Sequence, residues 1–179
     1  MDTHTLSRLR GEAMRDFDDG KLPEAEAELT ALISQAQEPS DPWAAAEIAS
    51  CLRDRATVRR YSNRWQEALD DLSRSEDVAM RLAPLPRRML LPNVYYVRAL
   101  LLSTPYSDVF NPSDAARAVA ELRKYSGNWI ADSLDAELAF NQKEWDKAAA
   151  LTRVLLIRWN ARVGCRVSPA VGYVPARPS

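Results

Sequence analysis

The chain has 179 residues, of which 46% are hydrophobic and 27% charged, and its formal net charge is −1. These values suit one well-buried domain and exclude a disordered, collagen-like or disulfide-rich chain. Only 5 glycines occur, while alanine, leucine, arginine and glutamate are abundant, so we expect helices throughout and no sheet.

No stretch approaches the roughly 18 apolar residues that a membrane-spanning helix needs, and the first residues lack a basic end followed by an apolar run. We therefore expect a cytoplasmic protein without a membrane partner. The two cysteines, Cys51 and Cys165, lie far apart without paired spacing, which favours free thiols over a disulfide or a zinc site.

Eleven prolines divide the chain, because a proline inside a helix removes a hydrogen bond and clashes with the preceding turn. Asp41 and Pro42 suit the cap and first residue of a helix. The remaining segments predict eight helices, near residues 5–18, 23–37, 42–61, 64–83, 92–104, 113–125, 129–141 and 144–161.

The predicted connections are mostly short, which implies antiparallel helix pairs. Gly20 and Gly127 stand where a helix should end, since glycine adopts the left-handed conformation without steric cost. Two links are expected to be long: residues 84–91, where Pro84, Pro86 and Pro92 are expected to break the chain, and residues 105–112.

Four alanines recur just inside the second helix of each predicted pair. They are Ala25, Ala68, Ala115 and Ala148, at intervals of 43, 47 and 33 residues. Such a period is typical of helix-turn-helix units that stack to bury their apolar faces. A small residue allows two helices to approach closely, and Trp65 and Trp145 are predicted to fill the core beside it.

The turns around residues 17–25, 61–69 and 140–148 resemble those of tetratricopeptide repeats, in which an aromatic ends one helix and a bulky residue precedes a small one in the next. The glycine usual in the first helix is replaced by alanine, at Ala13, Ala56, Ala99 and Ala136. The resemblance implies an all-α, right-handed solenoid of about four helix pairs over residues 1–162, followed by an extended, proline-containing tail over residues 163–179.

Catalytic and metal-binding residues are scarce. His4 is the only histidine, so a serine or cysteine nucleophile has no base of the usual kind. The sequence contains no glycine-rich phosphate loop and no metal-ligand spacing. We therefore expect a protein that is not an enzyme and uses no cofactor or metal.

Charge is distributed unevenly along the chain. Residues 1–40 contain nine acids and four bases, whereas 81–101 and 151–179 contain arginines and no acid. In tetratricopeptide proteins the first helices line a concave groove, and here they offer Arg10, Arg53, Arg60, Tyr61, Tyr95 and Arg98. Arginines that pair with carboxylates predict an acidic segment of another protein as the partner. The uneven charge is equally compatible with a role in keeping the solenoid soluble and with head-to-tail association.

The last predicted helix is apolar around more of its circumference than one packing face requires. Leu156, Trp159 and Val163 are therefore predicted to contact either the tail or another copy in a homo-oligomer.

The function predicted from these patterns is a noncatalytic adaptor or regulatory subunit that binds a segment of a partner protein in its groove. Two alternatives stay open: a receptor for a peptide or small apolar ligand, and an RNA-binding repeat protein. The pI of about 5.9 argues against nucleic acid as the partner.

Overall fold

The computed structural model describes residues 2–35, 41–125 and 128–163, apart from the side chains of residues 128 and 159–163. These residues form eight α-helices and no strand, as predicted. The helices are α1 Thr3–Asp18, α2 Leu22–Gln35, α3 Pro42–Tyr61, α4 Trp65–Arg81, α5 Pro84–Leu102, α6 Pro112–Arg123, α7 Asn128–Asn141 and α8 Trp145–Val163.

Three helices begin at a side-chain cap that satisfies free backbone N–H groups. Asp41 accepts hydrogen bonds from the N–H groups of Trp43 and Ala44, which confirms the predicted cap before Pro42. Asp2 caps α1, and Asn111 caps α6. Hydrogen bonds from Thr3 and from the backbone hold the pKa of Asp41 below its usual value.

The prediction for Pro84, Pro86 and Pro92 was wrong. Helix α5 begins at Pro84 and continues through Pro92, so the link from α4 consists of residues 82–83. Pro84 and Pro86 fit the first turn, where the missing N–H has no partner within the helix. The long link around residues 105–112 is confirmed and spans residues 103–111.

The turns α1–α2, α3–α4 and α7–α8 have the same backbone geometry. Gly20, Asn63 and Lys143, each five residues before a marker alanine, have positive φ angles of 81°, 58° and 62°. The next N–H in each turn bonds the carbonyl five residues earlier, at 2.8 to 2.9 Å. This arrangement satisfies carbonyls at the helix end and reverses the chain. Gly127 lies outside the described residues.

Every helix packs on the next one in the chain, so the eight helices form four consecutive pairs. Helices α1, α3, α5 and α7, the first helices of the pairs, also pack on one another in that order. Within the described residues, the second helices α2, α4, α6 and α8 do not contact one another. The second helices are therefore separated by the first helices that lie between them.

All eight recurring alanines are at least 92% buried. They are Ala13, Ala56, Ala99 and Ala136 in the first helices and Ala25, Ala68, Ala115 and Ala148 in the second helices. The prediction of small residues at buried helix positions is thus confirmed. These alanines give a common register in which equivalent positions of different pairs can be compared.

Candidate partner-binding surfaces

The residues predicted to line the groove lie in three separate groups of contacts. The first is at the contact of α1 with α3, where Arg10 donates hydrogen bonds to Glu47 and Asp54, both at 2.9 Å. Arg53 also donates to Asp54, from Nε at 2.9 Å. The side chains of Arg10 and Arg53 are 24% and 18% exposed, so both charges are compensated within the chain.

The second group lies at the end of α3. Tyr61 is 59% exposed, and its ring packs edge-on against Phe17 of α1, with 5.2 Å between the ring centroids. The guanidinium of Arg60 lies 5.4 Å from the centroid of the Tyr61 ring. This exposed cluster of aromatic and cationic groups joins the first two pairs.

The third group is formed by Tyr95 and Arg98 on α5. The Tyr95 ring is only 5% exposed, and its hydroxyl donates to Glu76 at 2.8 Å. Burial, followed by this hydrogen bond, raises the pKa of Tyr95. Arg98 pairs with the other oxygen of Glu76 and reaches Ser73 Oγ at 3.3 Å. Tyr95 is therefore part of the core.

Tyr96 was not among the predicted groove residues, although it is 38% exposed. It precedes Ala99 by three residues, as Arg10 precedes Ala13 and Arg53 precedes Ala56. Comparison of the helices in the register of their alanines could have identified Tyr96 instead of Tyr95.

A network of ion pairs fills the space between α2 and α4, above α3. We call this space the first cleft; its six side chains are Glu26, Thr30, Arg55, Arg59, Glu67 and Asp71. Arg55 forms a bidentate pair with Asp71, at 2.8 and 2.7 Å, and the two side chains are 7% and 2% exposed. Arg59 bridges Glu26 on α2 and Asp71 on α4, both at 2.8 Å. The cleft is therefore closed by the chain's own arginines.

The equivalent space between α4 and α6, above α5, contains a cavity of about 390 Å³. We call it the second cleft. At the six positions that form the network of the first cleft, it has Leu69, Ser73, Arg98, Leu102, Asp114 and Ala118, and all six line the cavity. Arg59 is thus replaced by Leu102, and Asp71 by Ala118. Without these groups no arginine crosses the cleft, which stays open.

A further apolar surface lies on the last pair. Phe140, Trp145 and Leu156 are 58%, 55% and 57% exposed, and they line a shallow cavity of about 510 Å³ with Ala148, Ala149, Thr152 and Arg153. We call it the terminal face. The prediction that Trp145 is a core residue was wrong, because the described residues include no further helix to cover it. Trp65 is partly buried against the core, as predicted. The side chains of Trp159 and Val163 lie outside the described part, as do residues 164–179.

Cys51 is a free, buried thiol in α3. Burial raises its pKa to about 12, while the nearby Arg10 acts in the opposite direction. The thiol is therefore protonated at neutral pH and is a poor nucleophile. Cys165 lies outside the described residues.

Among the described residues, no group of histidine, cysteine, aspartate or glutamate side chains could hold a metal ion. None of the helices described there combines the length and the hydropathy required to cross a bilayer. Searches with the sequence and the structure found no family model, curated protein or solved structure that matches the chain.

Proposed function

We propose that the chain is a noncatalytic adaptor of the tetratricopeptide type, a curved solenoid that binds a segment of a partner protein along its first helices. The observation that carries the proposal is the order of contacts. The first helices pack on one another from α1 to α7, whereas the second helices are held apart. Such packing supports curvature with the first helices on the concave side, where repeat proteins receive their ligands.

The first-helix face presents one side chain per pair at the position three residues before the buried alanine. These side chains are Arg10, Arg53, Tyr96 and Ser133. An acidic segment could pair with the two arginines only in competition with Glu47 and Asp54, which already accept their hydrogen bonds. Because each exposed ion pair contributes about 0 to 1 kcal/mol, we expect micromolar affinity that decreases with salt.

The test is capture of a partner from the native cell by the full chain and by the variant Arg53→Glu with Tyr96→Ala. The partner should be lost with this variant and retained with Arg117→Ala, which alters an exposed side chain on the second-helix side. Equal capture by all three proteins would place the binding site elsewhere. The same cell fractions would test the proposed cytoplasmic location.

The receptor alternative is supported by one observation, the cavity of the second cleft. Its lining includes two arginines and four acids, so it suits a polar peptide better than an apolar molecule. Thermal shift with short charged peptides tests it: stabilisation of the wild type, lost in Arg98→Leu, would support this alternative. For RNA binding, no contact described above adds support, and unchanged anisotropy of labelled RNA at low salt would exclude it.

A further inference from the structure

The terminal face lies where earlier pairs receive the first helix of the next pair. Helix α2 is covered in this way by α3, and α4 by α5. Residues one and five places after the marker alanine take part: Glu26 and Thr30 on α2, Leu69 and Ser73 on α4. On α8 the same positions hold Ala149 and Arg153, and both line the terminal cavity. The shape of the terminal face is therefore that of a site for one more α-helix.

An aromatic side chain marks the same site. Phe17 follows Ala13 by four residues and contacts Tyr61 of the next pair, with 5.2 Å between ring centroids. Phe140 follows Ala136 by four residues and occupies the equivalent position in the last pair. It is 58% exposed and packs edge-on against Trp145. A helix docked there would bring its own aromatic residue to Phe140.

The charge of the expected occupant follows from Arg153. At the equivalent positions, Thr30 accepts a hydrogen bond from Arg55 and Ser73 from Arg98, at 3.0 and 3.3 Å. Arg153 has no hydrogen-bond or ion-pair partner in the part of the chain that the structure describes. A docked helix should therefore carry an acid where α3 and α5 carry arginine.

Two occupants from this chain fit less well. The free side of α1 carries the ion pairs of Glu12 with Arg8 and Arg15, so a second copy would place a polar surface on the exposed aromatic side chains. Residues 164–179 contain Arg166 and Arg177 and no acid, so their charges have the same sign as that of Arg153. Neither complements both the apolar side chains and the arginine.

We infer that the terminal face binds an amphipathic α-helix of another protein, with an acidic residue opposite Arg153. In the register of α3, the acid should stand at the position of Arg55, a small residue should follow it directly, as Ala56 does, and an aromatic should follow the acid by six residues, as Tyr61 does. This surface is separate from the first-helix face, so the inference goes beyond the adaptor function proposed above.

The test uses the full chain and two labelled peptides. One has the sequence of residues 42–61, and the other has the same sequence with Arg55→Glu. We expect the Glu peptide to bind at least tenfold more tightly than the unchanged peptide, measured by fluorescence anisotropy. The variant Arg153→Glu of the chain should reverse this preference, which a purely apolar contact would not do.

Two further variants locate the binding site. Leu156→Asp should abolish binding of the Glu peptide, whereas Met80→Asp, at a half-exposed residue on α4, should not change it. Both side chains are exposed, so the fold should persist, as circular dichroism can show.

The inference is overturned if the two peptides bind equally, if neither binds, or if Leu156→Asp has no effect. It is also overturned if the wild-type chain is a dimer in light scattering and Leu156→Asp makes it monomeric, because the occupant would then be a second copy.

Discussion

The first and second clefts occupy equivalent places in consecutive pairs but differ in what fills them. The first is bridged by Arg55 and Arg59, which join α2, α3 and α4 through Asp71 and Glu26. In the second, Arg98 turns to Glu76 on α4, and a cavity of about 390 Å³ remains. One packing scheme thus produces a cross-linked region or an open cavity, depending on side chains at six positions.

The largest expected effect concerns the buried pair of the first cleft. Asp71→Ala leaves Arg55 buried without its carboxylate, so we expect a loss of about 3–5 kcal/mol in the free energy of unfolding. Glu76→Ala, the matched change in the second cleft, should cost about 1 kcal/mol or less, because Glu76 is 26% exposed. Urea denaturation of both variants tests the difference. Equal losses would show that the two clefts do not differ energetically.

The next change introduces the acid of the first cleft into the second. Ala118→Asp places a carboxylate at the position of Asp71, within a cleft that contains Arg98. We expect this variant to be at least about 2 kcal/mol more stable than Val119→Asp, whose carboxylate would enter the core without a partner. Chemical denaturation measures both. The register of the clefts is refuted if Ala118→Asp is as unstable as Val119→Asp.

A third prediction concerns close packing at the marker alanines. Ala68→Leu should cost about 1–3 kcal/mol, because Ala68 is fully buried and a larger side chain forces the helices apart. Ala27→Leu, at an exposed position of α2, should change stability by less than about 0.5 kcal/mol. Thermal melts in which Ala68→Leu is as stable as the wild type would contradict the contact.

The smallest effect is a pH dependence that separates the equivalent residues Cys51 and Val94. The folded pKa of Cys51, about 12, lies above the unfolded value near 8.5, so its contribution is complete below that value and declines as the pH rises towards the folded pKa. We expect a loss of about 1 kcal/mol between pH 7 and pH 9, and a smaller loss in Cys51→Val. Urea titrations at the two pH values compare them, with Cys165→Ser in both proteins. Identical losses would show that Cys51 does not cause the dependence.

The repeat positions were predictable because they depend on local sequence. Asp41 before Pro42, Gly20 after α1 and the eight alanines identified a cap, a turn and the close-packed positions. The beginning of α5 was not predictable from proline content alone. A proline breaks a helix in its interior but fits its first turn, and that distinction depends on where the helix begins.

The contact groups could not be predicted from charge counts. Arginines at 10, 53 and 98 suggested free cations, but tertiary packing places Asp54 and Glu76 against them. In the same way, a tryptophan at the start of α8 matches one at the start of α4, yet only Trp65 has a following pair to cover it. Burial depends on neighbours that are distant in sequence.

The sequence by itself determined the helices, their pairing and the small residues between them, because caps, turns and periodicity act within a few residues. Only the tertiary structure decided which arginines are neutralised, which cleft is open and which apolar face is uncovered. These outcomes depend on side chains from three helices that meet in space, and a change at one position, such as alanine for aspartate at 118, alters the whole cleft.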